Sequence, residues 1–224
     1  YLNNKKLCIT LYKKYLGSLC KILKNIGFNV NTIPVLDVLR SNTSSVIGDR
    51  SFSKNPNIVK LLGQITVEHC HKHKIICVIK HIPGHGCAIS DSHYKMPKVG
   101  TSIKELNKID FYPFKNNSAK MAMTAHILYR KIDIKNVATF SKKIIYKTIR
   151  KKIGFNGILI SDDISMKALK YDLITNAKKS IEAGCNLVLY CAGNINDNFK
   201  LIKSVPFIDK FTSKKTSEIY KILR

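Results

Sequence analysis

The stretch from Gly154 to Ala168 reads GFNGILISDDISMKA and decides how the chain folds. A short apolar run, Gly157 to Ile160, leads directly to two adjacent carboxylates, Asp162 and Asp163. Side chains alternate between the two sides of a strand, so the two carboxylates should have different roles. We expect one to face a site at the strand end, while the other accepts local hydrogen bonds or caps the next helix. For an isolated SDD sequence, capping by both would be the commoner explanation.

Four similar apolar runs occur elsewhere in the chain. The five runs alternate with longer amphipathic segments. The predicted strands are Val30 to Leu36, Ile75 to Ile79, Met121 to Ala125, Gly157 to Ile160 and Asn186 to Tyr190. The predicted helices lie around Leu16–Ile26, Ile58–His69, Ile103–Asp110, Ser141–Ile153 and Asn176–Ala183. This alternation predicts parallel strands joined by crossover helices.

Polar residues follow the C-terminal ends of the predicted strands. They are Asp37, the pair Lys80 and His81, His126, and the pair Asp162 and Asp163. A (β/α)8 barrel carries its active site on that face, and an open doubly wound sheet also binds ligands there. The strand pattern by itself leaves both architectures open.

The segment from Lys80 to Pro97 reads KHIPGHGCAISDSHYKMP and is typical of a catalytic loop leaving a strand. Gly84 and Gly86 allow tight backbone paths, and three histidines and one aspartate occur close together. A polar surface loop with incidental histidines would explain this segment equally well when it is taken alone.

The chain has 224 residues and a formal net charge of +25, which raises the question of a polyanionic partner. The charge is mostly lysine spread along the chain, and Lys, Asn and Ile are all residues of A+T-rich codons. One denser group occupies a predicted helix, where a solvated face is the simpler interpretation: Lys142, Lys143, Lys147, Arg150, Lys151 and Lys152. No nucleic-acid-binding motif accompanies the charge, so we predict no nucleic-acid partner.

The seven cysteines form no CxxC pair and no regular framework, which favours a reducing compartment. No apolar run is long enough to cross a bilayer, and no signal peptide is visible. We therefore expect a cytoplasmic protein with no membrane partner. His69, His71 and His73 could be read as a metal site, but no HExxH glutamate or thiolate set completes it. We favour a solvated helix end there.

Taken together, the two motif-bearing segments resemble family 3 glycoside hydrolases of the bacterial β-N-acetylhexosaminidase type. Those enzymes carry KHFPGHG, then a DSH triplet and Leu-Pro, and later GFxGVIxSDDLxM. This chain has the same order and spacing, with Ile82 for the usual Phe and Met96 for the usual Leu. Two further matches are IGDRSF at residues 47–52 and PVLDV at residues 34–38. The resemblance extends over nearly the whole chain.

The resemblance implies a retaining exo-β-N-acetylglucosaminidase and assigns roles to individual residues. Asp162 matches the nucleophile that forms a covalent glycosyl-aspartate. His93 matches the acid/base and Asp91 its dyad partner; an imidazole suits that task because it titrates near neutrality. The residues that match sugar-binding positions are Arg50, Lys80 and His81. His126 is a further candidate, because it follows the third predicted strand, and His85 is expected to shape its loop.

The resemblance also implies a (β/α)8 barrel, in a single domain covering residues 1–224, that lacks its first two βα units. Five units are visible, with a degenerate sixth strand near Val205 to Ile208. The expected substrate is a muropeptide containing N-acetylglucosamine, cleaved by a monomer without a cofactor during peptidoglycan recycling. The alternatives are a β-glucosidase or a glycoside phosphorylase on the same fold, and a catalytically impaired remnant that binds polyanions.

Overall fold

The computed structural model describes residues 4–89 and 96–224. Its centre is a parallel sheet of β1 (Val30–Asn31), β2 (Ile76–Ile82), β4 (Met121–Thr124), β6 (Ile158–Asp163) and β7 (Leu187–Leu189), adjacent in that order. Two short strands, β3 (Lys98–Val99) and β5 (Leu128–Tyr129), pair in parallel beside it. The predicted alternation of parallel strands and crossover helices is therefore confirmed.

Six α-helices lie in the described part of the chain: α1 (Lys5–Asn25), α2 (Pro56–Lys72), α3 (Ile103–Lys108), α4 (Leu173–Ala183), α5 (Ile195–Ser204) and α6 (Lys210–Leu223). A π-helix, Ile144–Ile153, occupies the place of the helix predicted over 141–153. Asn or Asp side chains cap α1, α2, α4, α5 and α6, and Ser102 caps α3. Gly184, with φ 116°, ends α4 in a left-handed conformation that glycine adopts without steric cost.

The central strands β2 and β4 are buried on both faces, which explains their continuous apolar sequence. One side of the sheet packs against α1, α2 and the π-helix through the largest cluster of buried apolar residues. The other side contributes Ile76, Val78 and Met123 to a smaller cluster with Ile219 of α6. Helices on both faces leave only the strand ends accessible, so a site in this fold must be built there.

Three details of the predicted fold are wrong. The run from Val30 to Leu36 is not one strand, because it passes through Pro34, which has no amide hydrogen to donate; only a single bridge from Val35 to Lys80 follows β1. Residues 205–208 do not form a strand and are instead the exposed link between α5 and α6. Those two helices were not predicted.

The sheet is open over the residues described, with β1 and β7 at its two edges, so a closed barrel is not shown. None of the described helices combines the length and apolarity needed to cross a membrane.

Candidate active site

Three elements bring polar side chains together at the C-terminal edge of the sheet. Strand β2 supplies Lys80 and His81, strand β6 supplies Asp162, and a helical turn over Gly48–Arg50 supplies Arg50. With Val46, Ile47 and His85 they line a cavity of ≈ 170 Å³. Four residues that the sequence singled out, 50, 80, 81 and 162, thus share one cavity, although they are up to 112 positions apart.

Asp37 is fully buried beneath this cavity and holds the loop that follows β2. Its Oδ2 accepts a hydrogen bond from His81 Nδ1 at 2.7 Å. Its Oδ1 accepts from the backbone amides of His81 at 3.2 Å and His85 at 2.6 Å. Because Nδ1 of His81 is used in this way, its Nε2 faces Asp162, with 3.9 Å between Nε2 and Oδ2.

The charge of Asp37 is maintained despite complete burial. Burial alone would raise the pKa of Asp37, but the charges and hydrogen bonds of His81 and His85 more than offset it and hold the pKa below its usual value. The same balance applies at Asp162, where burial is outweighed by His81, His126, the Asp163 amide and Lys80, so its pKa is also lowered. Asp162 is therefore ionised at neutral pH.

The two adjacent aspartates have different surroundings, as the alternation of strand side chains predicts. Asp162 keeps 18% of its side chain exposed and borders the cavity. Asp163 accepts hydrogen bonds from the amide and hydroxyl of Ser165, at 3.0 and 2.7 Å, and from the amide of Cys191 at 3.2 Å. Asp163 thus organises the loops after β6 and β7, and Asp162 is available for chemistry.

Arg50 and Lys80 give the cavity a cationic side. The Arg50 guanidinium donates to the carbonyl oxygen of Val46 through Nε, at 2.9 Å, and through Nη2. Lys80 donates from Nζ to Thr32 Oγ1 at 3.2 Å. Burial and the nearby charge of Arg50 lower the pKa of Lys80, while Asp162 acts in the opposite direction. Both side chains lie where anionic or hydroxyl groups of a ligand could accept hydrogen bonds.

His126 is fully buried and uses both of its ring nitrogens within the protein. Nδ1 lies 2.7 Å from Thr139 Oγ1, and Nε2 lies 3.0 Å from the carbonyl oxygen of Asp163. These contacts fix the backbone next to Asp162, so His126 helps to hold that residue in position. Its candidacy for contact with a substrate stays a prediction.

The predicted acid/base pair, His93 and Asp91, falls on residues 90–95 and lies outside the described residues. In the chain before residue 90, Tyr129 donates to the carbonyl oxygen of Gly84 at 2.6 Å, and Thr43 donates to that of Gly86 at 2.6 Å. The loop that follows β2 is thus anchored at Gly84 and Gly86.

The expectation of a solvated helix end at His69, His71 and His73 is wrong in part. All three are partly buried, and the Nε2 atoms of His69 and His71 are buried without a hydrogen-bond partner among the described residues. No cluster of three or more potential metal ligands occurs within residues 4–89 and 96–224.

Two residues of the site had no functional role in the sequence-based prediction. Asp37 was visible as a carboxylate after the first strand, but its link to His81 joins residues 44 positions apart and has no local signal. His85 was expected to shape its loop, and it also lines the cavity. The PGHG sequence is a usable signal that this loop packs closely against other backbone. A Cβ on Gly86 would lie 1.9 Å from the carbonyl oxygen of Val38. Only glycine permits that contact.

Asn176 offers a test of how the loop after β6 is held. Its Nδ2 donates to the carbonyl oxygens of Ile164 and Tyr171, both at 3.0 Å, from a buried position on α4. Asn176→Ala should leave both carbonyls unsatisfied and lower the free energy of unfolding by about 1–3 kcal/mol. Urea denaturation measures this change, with the exposed Asn198→Ala as the matched control. Equal stability of the two variants would contradict this role.

Comparison with known proteins places this arrangement in a family. Residues 11–214 match the Glycosyl hydrolase family 3 N terminal domain. The chain belongs to glycosyl hydrolase family 3. The resemblance inferred from the KHIPGHG and SDD segments is confirmed by a match that covers most of the chain.

Individual relatives agree with this assignment. A beta-hexosaminidase of Nitrosomonas eutropha is 37% identical over 174 residues, which are 75% of this chain and 49% of that protein. A beta-hexosaminidase of Neisseria meningitidis is 34% identical over 189 residues, covering 80% of this chain and 52% of the relative. The chain therefore spans about half the length of the curated relatives it matches.

Solved structures extend the likeness to the fold. The crystal structure of NagZ from Neisseria gonorrhoeae in complex with N-trifluoroacetyl-D-glucosamine superposes with a TM-score of 0.86 at 29% identity, covering 97% of this chain and 63% of that one. A family 3 β-N-acetylglucosaminidase from Paenibacillus gives a TM-score of 0.85 at 25% identity, covering 96% of this chain and 43% of that one. The curled parallel sheet is thus shared with this family.

Proposed function

We propose that the protein is a retaining exo-β-N-acetylglucosaminidase that removes terminal β-linked N-acetylglucosamine. The observation that carries the proposal is the ionised, partly exposed Asp162 at the end of β6, facing a cavity lined by Arg50, Lys80 and His81. The beta-hexosaminidase names of relatives up to 37% identical support the same reaction. A carboxylate placed to attack the anomeric carbon is one of the two catalytic groups that a retaining glycosidase requires.

The first step uses Asp162 as the nucleophile. A carboxylate oxygen attacks the anomeric carbon, and the bond from that carbon to the leaving-group oxygen breaks. A proton passes from the acid/base to the departing oxygen. The product is a glycosyl ester of Asp162 and a free alcohol. The low pKa of Asp162 favours this step, because the ionised form is the nucleophile.

The second step releases the sugar. Water loses a proton to the acid/base and attacks the anomeric carbon, which frees the Asp162 carboxylate and returns the sugar with its original β configuration. We assign the acid/base to His93, oriented by Asp91. An imidazole can donate and accept a proton near neutral pH, and a partner carboxylate fixes its tautomer.

Arg50, Lys80 and His81 are proposed to hold the sugar. Guanidinium and ammonium groups donate hydrogen bonds to hydroxyl oxygens. His81 donates from Nδ1 to Asp37, which leaves Nε2 to accept a hydrogen bond from a sugar hydroxyl when the imidazole is neutral. Held in this way, the anomeric carbon would stay close to Asp162, which converts a collision into an intramolecular step.

The natural substrate is proposed to be a muropeptide bearing N-acetylglucosamine, processed by a cytoplasmic monomer that needs no cofactor. The N-trifluoroacetyl-D-glucosamine bound to the gonococcal relative supports an N-acylated sugar. Seven free cysteines, four of them buried, suit a reducing compartment.

Trapping of the intermediate tests the proposal directly. A ring-fluorinated N-acetylglucosaminide with a good leaving group should form the glycosyl ester faster than water removes it. Mass spectrometry of a digest should then show one sugar added to the peptide containing Asp162. Proton NMR of the initial product from an unfluorinated aryl glycoside should show the β anomer. A sugar on another residue, or an α anomer, would refute the assignment, and phosphate-dependent cleavage would indicate a phosphorylase instead.

A further inference from the structure

Two histidines at the end of α2 form a pair outside the cavity described above. His69 lies in the last turn of α2 and His73 follows the helix end, so the two are four residues apart on one face. Their ring centroids are 4.5 Å apart, with an angle of 36° between the ring planes. Histidines at this spacing on a helix can share one metal ion.

The Nε2 atoms of both rings lie beside Gly17 of α1. A Cβ added to Gly17 would be 3.5 Å from Nε2 of His69 and 3.9 Å from Nε2 of His73. Apart from Gly17, its two sequence neighbours and the backbone of α1, no other described heavy atom lies within 4 Å of that point. The missing side chain therefore leaves a gap bordered by two imidazole nitrogens.

The hydrogen bonds around the pair leave both Nε2 atoms able to bind a ligand. Nδ1 of His73 lies 2.8 Å from the carbonyl oxygen of His69, so Nδ1 carries the hydrogen and Nε2 keeps its lone pair. Nε2 of His69 is buried and has no hydrogen-bond partner among the described residues. An unpaired buried nitrogen is costly, and a metal ion would satisfy it.

The ring of His69 is also in the protonation state that binds metals. Burial lowers the pKa of His69, and the ammonium groups of Lys13 and Lys72 lower it further. The ring is therefore neutral at pH 7, and only a neutral imidazole acts as a ligand.

We propose that His69 and His73 bind one divalent transition-metal ion between their Nε2 atoms, in the gap left open by Gly17. Imidazole ligands suit Ni²⁺, Zn²⁺ and Cu²⁺, whereas Mg²⁺ and Ca²⁺ prefer oxygen. Water completes the coordination, because the protein supplies two ligands. The site would lie between α1 and α2, and it does not depend on the proposed glycosidase activity.

Titration calorimetry with Ni²⁺ at pH 7.5 tests the proposal on the whole chain. The wild type should bind one ion more than His69→Gln and His73→Gln do, or bind it at least tenfold more tightly. His71→Gln is the matched control, because His71 is on the same helix and its Nε2 is also buried. Within residues 4–89 and 96–224, that nitrogen has no hydrogen-bond partner and its ring has no neighbouring imidazole. Binding at any other site would appear equally in all four proteins. Equal binding by wild type, His69→Gln and His73→Gln would overturn the proposal.

Gly17→Ala separates metal binding from stability. An added methyl makes ordinary contacts in the metal-free protein, and alanine is the better helix former, so the unfolding temperature should not fall. The same methyl fills part of the gap proposed to hold the ion and its waters, so Ni²⁺ binding should weaken at least tenfold. Unchanged binding would overturn the proposal. In the wild type, paramagnetic Ni²⁺ should selectively broaden the amide NMR signals around Gly17 and His69; broadening confined to residues near Asp162 would contradict it.

Discussion

Asp162→Asn should lower kcat/KM for an aryl N-acetyl-β-glucosaminide by a factor on the order of 10⁴. The amide has the same shape as the carboxylate, but it carries no charge and cannot form the glycosyl ester. The substitution should leave the fold intact, because Asn can still accept the hydrogen bond that Asp162 Oδ1 takes from the amide of Asp163. Loss of activity with an unchanged unfolding temperature would thus indicate a chemical role.

The control for this variant is Asp209→Asn. Asp209 caps α6 at an exposed position, and Asn is an equally good cap, so activity should be that of the wild type. Release of the chromophore measures both variants under the same conditions. Wild-type activity in Asp162→Asn would remove the nucleophile assignment and the mechanism that depends on it.

Asp37→Ala should lower the free energy of unfolding by about 3–5 kcal/mol. The substitution removes the acceptor of three hydrogen bonds and leaves buried donors on His81 and His85 unsatisfied. Urea denaturation monitored by circular dichroism measures the effect. Asp49→Ala, which removes an exposed aspartate from the turn that carries Arg50, should change stability by less than about 0.5 kcal/mol. A loss below about 1 kcal/mol in Asp37→Ala would show that the buried pair is dispensable.

The contribution of Asp37 should also depend on pH. Because its pKa is lower in the folded protein than in the unfolded chain, the carboxylate stabilises the fold above its unfolded pKa of about 3.9. The stabilisation is lost as pH falls through the lower folded-state pKa. The stability difference between wild type and Asp37→Ala should therefore shrink as pH falls below about 4.

The sequence predicted those parts of the fold that depend on local pattern. Strands β2 and β4 were found because their apolar runs are buried on both faces, and β6 because its first three residues are apolar. The link over residues 205–208 is also apolar, but Phe207 within it is fully exposed, and apolar composition alone cannot distinguish the two cases. Helices α5 and α6 are amphipathic, at least as clearly as the predicted α1 and α2, so a local signal was present and the sequence-based prediction missed it.

The candidate site was also predicted only where it depends on local sequence. Arg50, Lys80, His81 and Asp162 could be named from motifs, and the structure brings them to one cavity. The pairing of Asp37 with His81 and the anchoring of His126 by Thr139 required knowledge of which strands are neighbours. Hydrogen bonds between distant segments leave no trace in local sequence.

The residues that line the cavity are held in place in different ways, and this affects which of them could be changed to alter its specificity. His81 is locked by a buried carboxylate, and Asp162 belongs to a central strand, so substitutions beside them would disturb the whole fold. Arg50 is exposed, and its guanidinium is held only by a carbonyl of its own turn, among the contacts described. Libraries that vary Val46, Asp49 and Arg50 but keep the buried Ile47 should therefore alter ligand preference while the rest of the scaffold tolerates the change.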